Sequence, residues 1–307
     1  MKRITLAVAA LLAGTLVFSA FGVASPRGHI ARTAGPLVKQ PKKPKLPPLP
    51  ATVKSRKRWE IGVKCDYPPF GFINVRGQNS GYDVAVARRF AQLAFGSKNK
   101  VHFTCVTTPS RIPTLMSGRV DIIVSTLTWT QARADQIDFS IPYYSATGRL
   151  LVPNSSSVTV ATLGGKTIVT TRGALYAAWT RNCFKSTNLL EVDSPALAVA
   201  AVKDGRADTF MFDDAFLLNV ATQDPDVKLT RDKFLNVPWG IGIRKGEKPM
   251  VNWVNAALRY MKKRDEFAKI LRANAPARYV PDFIDNVPRP KNTFSYPAGK
   301  DVTTICP

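Results

Sequence analysis

The sequence predicts an α/β protein of two lobes, and three observations carry that expectation. Strand-length apolar runs alternate with helical runs between residues 59 and 125. The alternation restarts after residue 165, and two extended segments, 143–152 and 235–243, lie where the chain would cross from one series to the other. Strands that alternate with helices form a parallel sheet with crossover helices. Each lobe is therefore expected to hold a mainly parallel sheet flanked by helices, with a cleft between the carboxyl ends of the strands. At 307 residues the chain is long enough for two such cores.

The chain opens on Lys2 and Arg3, an uncharged apolar run from Ile4 to Ala20 and the small residues Gly22-Val23-Ala24. This is the pattern of a signal peptide spanning 1–24, with the rest exported to the periplasm or the extracytoplasmic surface. Residues 25–58 hold seven prolines and ten Lys/Arg without one Asp or Glu. Such a stretch lacks apolar periodicity and repels itself, so it is expected to be an extended, disordered linker. Together with Lys2 and Arg3 it supplies about half of the formal net charge of +23. A basic tail can bind nucleic acid, but export places this one away from it, and no nucleic-acid partner is expected. A solvated spacer is the plainest role for it, with anionic lipid or cell-wall polymer as the expected contact if it has one.

Trp59–Val63 reads as the first strand, Tyr82–Phe95 as an amphipathic helix and Val101–Val106 as the second strand. A short helix at 112–117 precedes the apolar strand 121–125. In the second series, 166–170 and 207–212 read as strands, and 174–182 and 196–204 as helices. Long amphipathic helices follow at 251–263 and 265–273, and the proline-rich stretch from 276 to 307 reads as an irregular tail. Four cysteines, Cys65, Cys105, Cys183 and Cys306, permit three pairings. Cys65 and Cys105 end successive strands that would lie side by side, which favours Cys65 with Cys105 and Cys183 with Cys306. No C-x-x-C spacing argues for metal, and no cofactor is expected.

Three segments fall where strands give way to loops. They are Ile61-Gly62-Val63-Lys64-Cys65-Asp66-Tyr67-Pro68-Pro69-Phe70, then Gly81-Tyr82-Asp83, then Thr128-Trp129-Thr130-Gln131-Ala132-Arg133 followed by Asp138-Phe139-Ser140 and Tyr143-Tyr144. From about Trp59 to about Ala273 the chain resembles the polar amino acid family (family 3) of extracytoplasmic solute-binding proteins of ABC transporters, nearest to its glutamate and aspartate binders. The resemblance implies a type II periplasmic-binding-protein fold, with lobe I from 59–143 and 240–275 and lobe II from 148–235. It also implies a monomer that hands a small amino acid to a transporter permease.

By the same resemblance, Arg133 clamps the ligand α-carboxylate with help from Thr128, and Asp213 accepts from the α-ammonium. An arginine suits that task because its planar fork of donors matches a carboxylate and stays charged when desolvated. Lys64 and Arg111 are expected to converge on the ligand side chain and so to favour an acidic one. Tyr67 would pack over the ligand, and Thr126, Thr171 and Gly173 complete the expected ligand-binding set. Lobe II departs from the family pattern at Arg172-Gly173-Ala174-Leu175, where a hydroxyl is missing beside the glycine. Asp214 is expected to cap the helix that follows Asp213.

Two other readings compete. Cyclohexadienyl dehydratases resemble these binders, but an enzyme needs a poised acid or base. Of the two histidines, His29 lies in the linker and His102 within a strand, which leaves Glu191 and Asp193 as conceivable acids. A ligand-sensing module is the other alternative. The chain is expected to be a binder and not an enzyme.

Overall fold

The computed structural model describes residues 45–297 and 301–307. The expected signal peptide, most of the basic linker and His29 lie outside these residues. The linker expectation fails over residues 45–58. Helix α1 (Ala51–Arg56) forms there, with Val53 fully buried and Leu46 and Leu49 packed against the core. Arg56 reaches the buried carboxylate of Asp121 at 2.7 Å, and the same oxygen accepts the Glu60 N–H at 2.8 Å. Proline and charge dominate the composition of this stretch, but its three apolar side chains are enough to dock it.

The first lobe is built in the predicted order. Strand β1 (Trp59–Lys64) leads into a small antiparallel sheet of β2 (Asp66–Tyr67), β3 (Gly71–Ile73) and β4 (Asn79–Ser80). Helix α2 (Tyr82–Phe95) follows. It starts after Gly81, whose φ of +112° and whose missing side chain are both required, since a Cβ there would sit 2.6 Å from the Pro69 carbonyl oxygen. Strand β5 (Val101–Val106), helix α3 (Arg111–Met116), strand β6 (Ile122–Val124), helix α4 (Gln131–Ala134) and strand β7 (Ile137–Phe139) complete the first pass.

Strand β8 (Tyr144–Pro153) carries the chain into lobe II. There β9 (Thr167–Thr171), α5 (Leu175–Cys183), β10 (Asn188–Val192), α6 (Pro195–Lys203), β11 (Thr209–Asp213), α7 (Asp214–Ala221) and β12 (Val227–Leu229) follow. Strand β13 (Phe234–Trp239) returns antiparallel along β8, with Trp239 opposite Tyr144 and Val237 opposite Ala146. Strand β14 (Gly242–Arg244) and helices α8 (Lys248–Lys263), α9 (Glu266–Asn274) and α10 (Val280–Phe283) close the fold. Helix α8 buries Met250, Trp253, Val254, Ala257, Leu258 and Met261, one stripe at helical spacing. Trp253 meets Trp59 and Phe90 in lobe I, and each such ring taken fully out of water stabilises by roughly 1.5–3 kcal/mol.

Each sheet is mainly parallel in strand direction, as expected, with one antiparallel strand, β14 in lobe I and β8 in lobe II. Lobe I has strand order β5-β1-β6-β14-β7, in which β5, β1, β6 and β7 run in one direction and β14 runs against its neighbours β6 and β7. Lobe II has order β10-β9-β11-β8-β12, in which β10, β9 and β11 run parallel. The crossing strands and the returning chain enter each sheet directly, without a crossover helix, and so pair antiparallel. Both expected disulfides are formed, Cys65–Cys105 and Cys183–Cys306, with Cα separations of 5.5 and 5.2 Å.

Gly148 in β8 sits opposite Asp213 of β11. A methyl there would lie 2.6 Å from the Phe234 ring and 2.9 Å from the Tyr176 ring. Gly148→Ala is therefore expected to cost about 1–3 kcal/mol, a drop of several degrees in Tm read by thermal melting.

Candidate functional site

The strand ends of the two lobes face one another across a small cavity of about 10 Å³. It is lined from lobe I by Thr108, Arg111, Thr126, Thr128 and Arg133, and from lobe II by Ala174, Leu175, Tyr176, Phe212 and Asp213. That volume holds on the order of one water. A free amino acid is larger, so the lobes must part to admit one.

Arg133 stands on α4, whose N-cap Thr130 accepts the Arg133 N–H at 3.3 Å. One guanidinium nitrogen donates to the Thr128 carbonyl at 2.5 Å. The other crosses to lobe II and donates to the Gly173 carbonyl at 2.8 Å. Gly173 has φ +75°, and a Cβ there would press the Pro109 Cα at 3.2 Å, so glycine serves both the turn and the approach of the two lobes. Burial pushes the Arg133 guanidinium down to about 9, with Arg111 repelling it and Asp213 supporting it. It remains a cation at neutral pH.

Arg111 donates to the carbonyls of Ser125 (2.9 Å) and Thr126 (3.1 Å). Thr126 has φ +49°, a left-handed conformation that costs a β-branched residue about 1–3 kcal/mol. It is held there by its N–H, which is accepted by Asp83 Oδ2 at 3.0 Å and by the Tyr143 hydroxyl at 3.2 Å. Tyr143 in turn donates to Asp83 Oδ1 at 3.1 Å. Burial raises the Asp83 carboxyl to about 7, against those two hydrogen bonds and the charges of Arg111 and Lys64. The Gly81-Tyr82-Asp83 segment thus supports the loop that carries Thr126. Burial also pushes Arg111 down to about 10.

Asp213 ends β11 and is 5% exposed. Its two oxygens accept the hydroxyls of Tyr67 from lobe I (3.0 Å) and Tyr176 from lobe II (2.7 Å). Burial raises its carboxyl to about 6, opposed by those two bonds. Asp213 makes no capping bond to α7. Asp214 does not play the expected cap either, because its carboxylate accepts the Thr147 N–H (3.2 Å) and hydroxyl (2.7 Å) from β8.

Five of the expected residues, Arg111, Thr126, Thr128, Arg133 and Asp213, therefore share one cavity. The other four do not line it. Lys64 is fully buried behind Thr108, donating to its hydroxyl at 2.8 Å and paired with Asp66 at 3.2 Å. Burial lowers its ammonium to about 8, Asp66 opposing. Lys64 and Arg111 do not form the expected pair of free cations, since Asp66 already neutralises one. Tyr67 acts through Asp213 and Gly173 through Arg133. Thr171 is wholly buried with a hydroxyl that finds no partner.

Sequence reasoning missed Thr108, Tyr176 and Phe212. Tyr176 follows Leu175 on the first turn of α5, and its tie to Asp213 depends on a strand that comes 37 residues later. The conceivable enzymatic acids are elsewhere. Glu191 pairs with Arg181, Asp193 with Arg172 at 2.9 Å, and the exposed His102 with Glu60 at 2.6 Å.

Comparison with known proteins agrees with this architecture. Over 225 residues the chain is 32% identical to an ABC transporter glutamine-binding protein of Bacillus subtilis, covering 72% of this chain and 82% of that one. A glutamine-binding protein of Geobacillus stearothermophilus is 35% identical over 199 residues, 64% of this chain and 76% of the other. Among solved structures, a cysteine-binding protein from Campylobacter jejuni superposes with a TM-score of 0.70 at 30% identity, covering 74% of this chain and 92% of its own. A solute receptor for L-cysteine from Neisseria gonorrhoeae gives 0.72 at 28% identity, covering 75% and 94%. Residues 60–274 match the sequence profile of one family across both lobes, and the chain belongs to the bacterial extracellular solute-binding proteins, family 3.

Proposed function

We propose that the chain captures an acidic amino acid, glutamate or aspartate, outside the cytoplasm and presents it as a monomer to the permease of an ABC transporter. One observation carries the choice of ligand. Arg111 and Arg133 both line the cavity, and among the described residues neither has a carboxylate partner, only backbone carbonyls. The acid that shares the cavity with them is Asp213. Two cations and one anion complement a ligand with two carboxylates and one ammonium. In this arrangement the α-carboxylate lies on Arg133, the ammonium on Asp213 and the side-chain carboxylate on Arg111. Glutamine is the second reading, favoured by the two glutamine-binding relatives, because an amide can also accept from Arg111.

Thermal melting against the twenty amino acids separates the two, since a ligand bound only by the folded state raises the midpoint. Glutamate or aspartate is expected to raise it more than glutamine, and arginine not at all. A larger rise with glutamine than with either acid defeats the acidic assignment. Arg111→Met is expected to weaken glutamate by about 10–100-fold and glutamine by less, measured by calorimetric titration.

A further inference from the structure

We infer that the C-terminal segment is a latch between the two elements that line the cavity, with Tyr296 as a positioning residue for the loop that bears Arg133. The inference rests on the cavity being the ligand site, as proposed above. The family match ends at residue 274, yet the chain beyond it is fastened at both lobes. On lobe I, the Tyr296 ring stacks on Trp129 with centroids 5.7 Å apart and planes 21° apart, and meets Phe139 edge-on at 6.0 Å. Its hydroxyl donates to the Ser140 carbonyl at 2.5 Å. Trp129 adjoins Thr128, and its own N–H is held by the Pro238 carbonyl of β13 at 3.2 Å. A side chain at Gly240 would fall on the Tyr296 hydroxyl, so the chain at the crossing leaves the space this ring occupies.

On lobe II the same segment is tied to α5. Val302 and Thr303 are buried, Trp179 Nε1 donates to the Ile305 carbonyl at 2.7 Å, and Asn182 donates to the Thr303 carbonyl at 2.9 Å. Cys306 is bonded to Cys183, the last residue of α5. The opposite end of α5 presents Leu175 and Tyr176 to the cavity. One strap therefore links the arginine loop to the helix that faces it. Three residues separate Pro297 from Asp301, a link of at most about 14 Å, so a parting of the lobes that exceeds its reach unstacks Tyr296 from Trp129 or drags α5 along. The latch biases the molecule towards the closed form, and apparent affinity scales with the fraction of molecules competent to hold ligand.

Stopped-flow binding of glutamate and of glutamine, together with hydrogen exchange on the unliganded protein, tests this on the full chain. Tyr296→Ala is expected to raise the dissociation rate of the bound probe about tenfold while association changes less. Tyr296→Phe keeps the stack and should restore most of the loss. The double variant Cys183→Ser with Cys306→Ser, which leaves Cys65–Cys105 intact, should act in the same direction as Tyr296→Ala. Amides 128–134 should exchange faster in Tyr296→Ala while those of β1 and β6 stay as in wild type. Kinetics within about twofold of wild type in both variants, with unchanged exchange at 128–134, overturn the latch. If wild type binds neither probe but the exchange contrast holds, the latch stands and the acidic-ligand reading falls.

Discussion

Arg133→Ala is expected to abolish amino-acid binding, with a loss of about 10²–10⁴-fold and no rise in Tm at any practical ligand concentration. The expectation follows from where the guanidinium sits. It is buried and still charged, it lines the cavity, and the Thr128 carbonyl of its own lobe holds one of its nitrogens. A carboxylate taken from water into that cavity without the arginine would be an unpaired buried charge. Arg133→Lys keeps the charge but cannot offer two parallel donors, and should recover only part of the affinity. Calorimetric titration of both variants measures the two effects. Full binding by Arg133→Ala would falsify the proposed site.

Asp213→Asn is the second large effect. The ligand ammonium would lose its ionic partner, at a cost of about 2–5 kcal/mol, or roughly 30- to 4,000-fold in affinity. The unliganded protein should respond differently. Burial lifts the Asp213 carboxyl from its ordinary 3.8 to about 6, so keeping it ionised at pH 7 costs the fold roughly 3 kcal/mol. Asparagine removes that cost, and Asp213→Asn is expected to melt no lower than wild type at pH 7. In wild type the sign is the same. Because the folded state takes up this proton first, the carboxyl's contribution to stability is fully present below about pH 4 and is lost as pH rises through about 6. Ligand binding runs the other way, since only the carboxylate pairs with an ammonium. The rise in Tm on adding glutamate should therefore shrink as pH falls through about 6, in scans between pH 4 and 8.

Local pattern showed as much of this as local physics decides. The alternation of strand and helix placed β1, α2, β5, α3, β6, β9, α5, α6 and β11 within about two residues, and left β2–β4, α4, β7, β10 and β12 unread. The spacing from Thr128 to Arg133 marked the arginine, because the cap at Thr130 and the helix after it are set by neighbours in sequence. Strand adjacency was enough to place Cys65 beside Cys105. What stayed hidden depends on partners far along the chain. Capping rules could not decide between Asp213 and Asp214, because the Asp214 carboxylate is claimed by Thr147, 67 residues earlier. Lys64 looked free to face a ligand because nothing in its spacing reveals that Thr108 and Asp66 would enclose it. Residues 45–58 read as a spacer because seven prolines and ten cations across 25–58 outweigh the few apolar side chains that dock.

The salt bridge from Arg56 to Asp121, with Val53 sealed beneath it, fixes where mechanical load arrives. A pull from the chain upstream would be borne by the half of the molecule that carries Arg133 and would not act on the half that carries Asp213. A leash fastened to the other half would tax every capture and release, whereas this attachment adds nothing to the resistance that the C-terminal strap already offers.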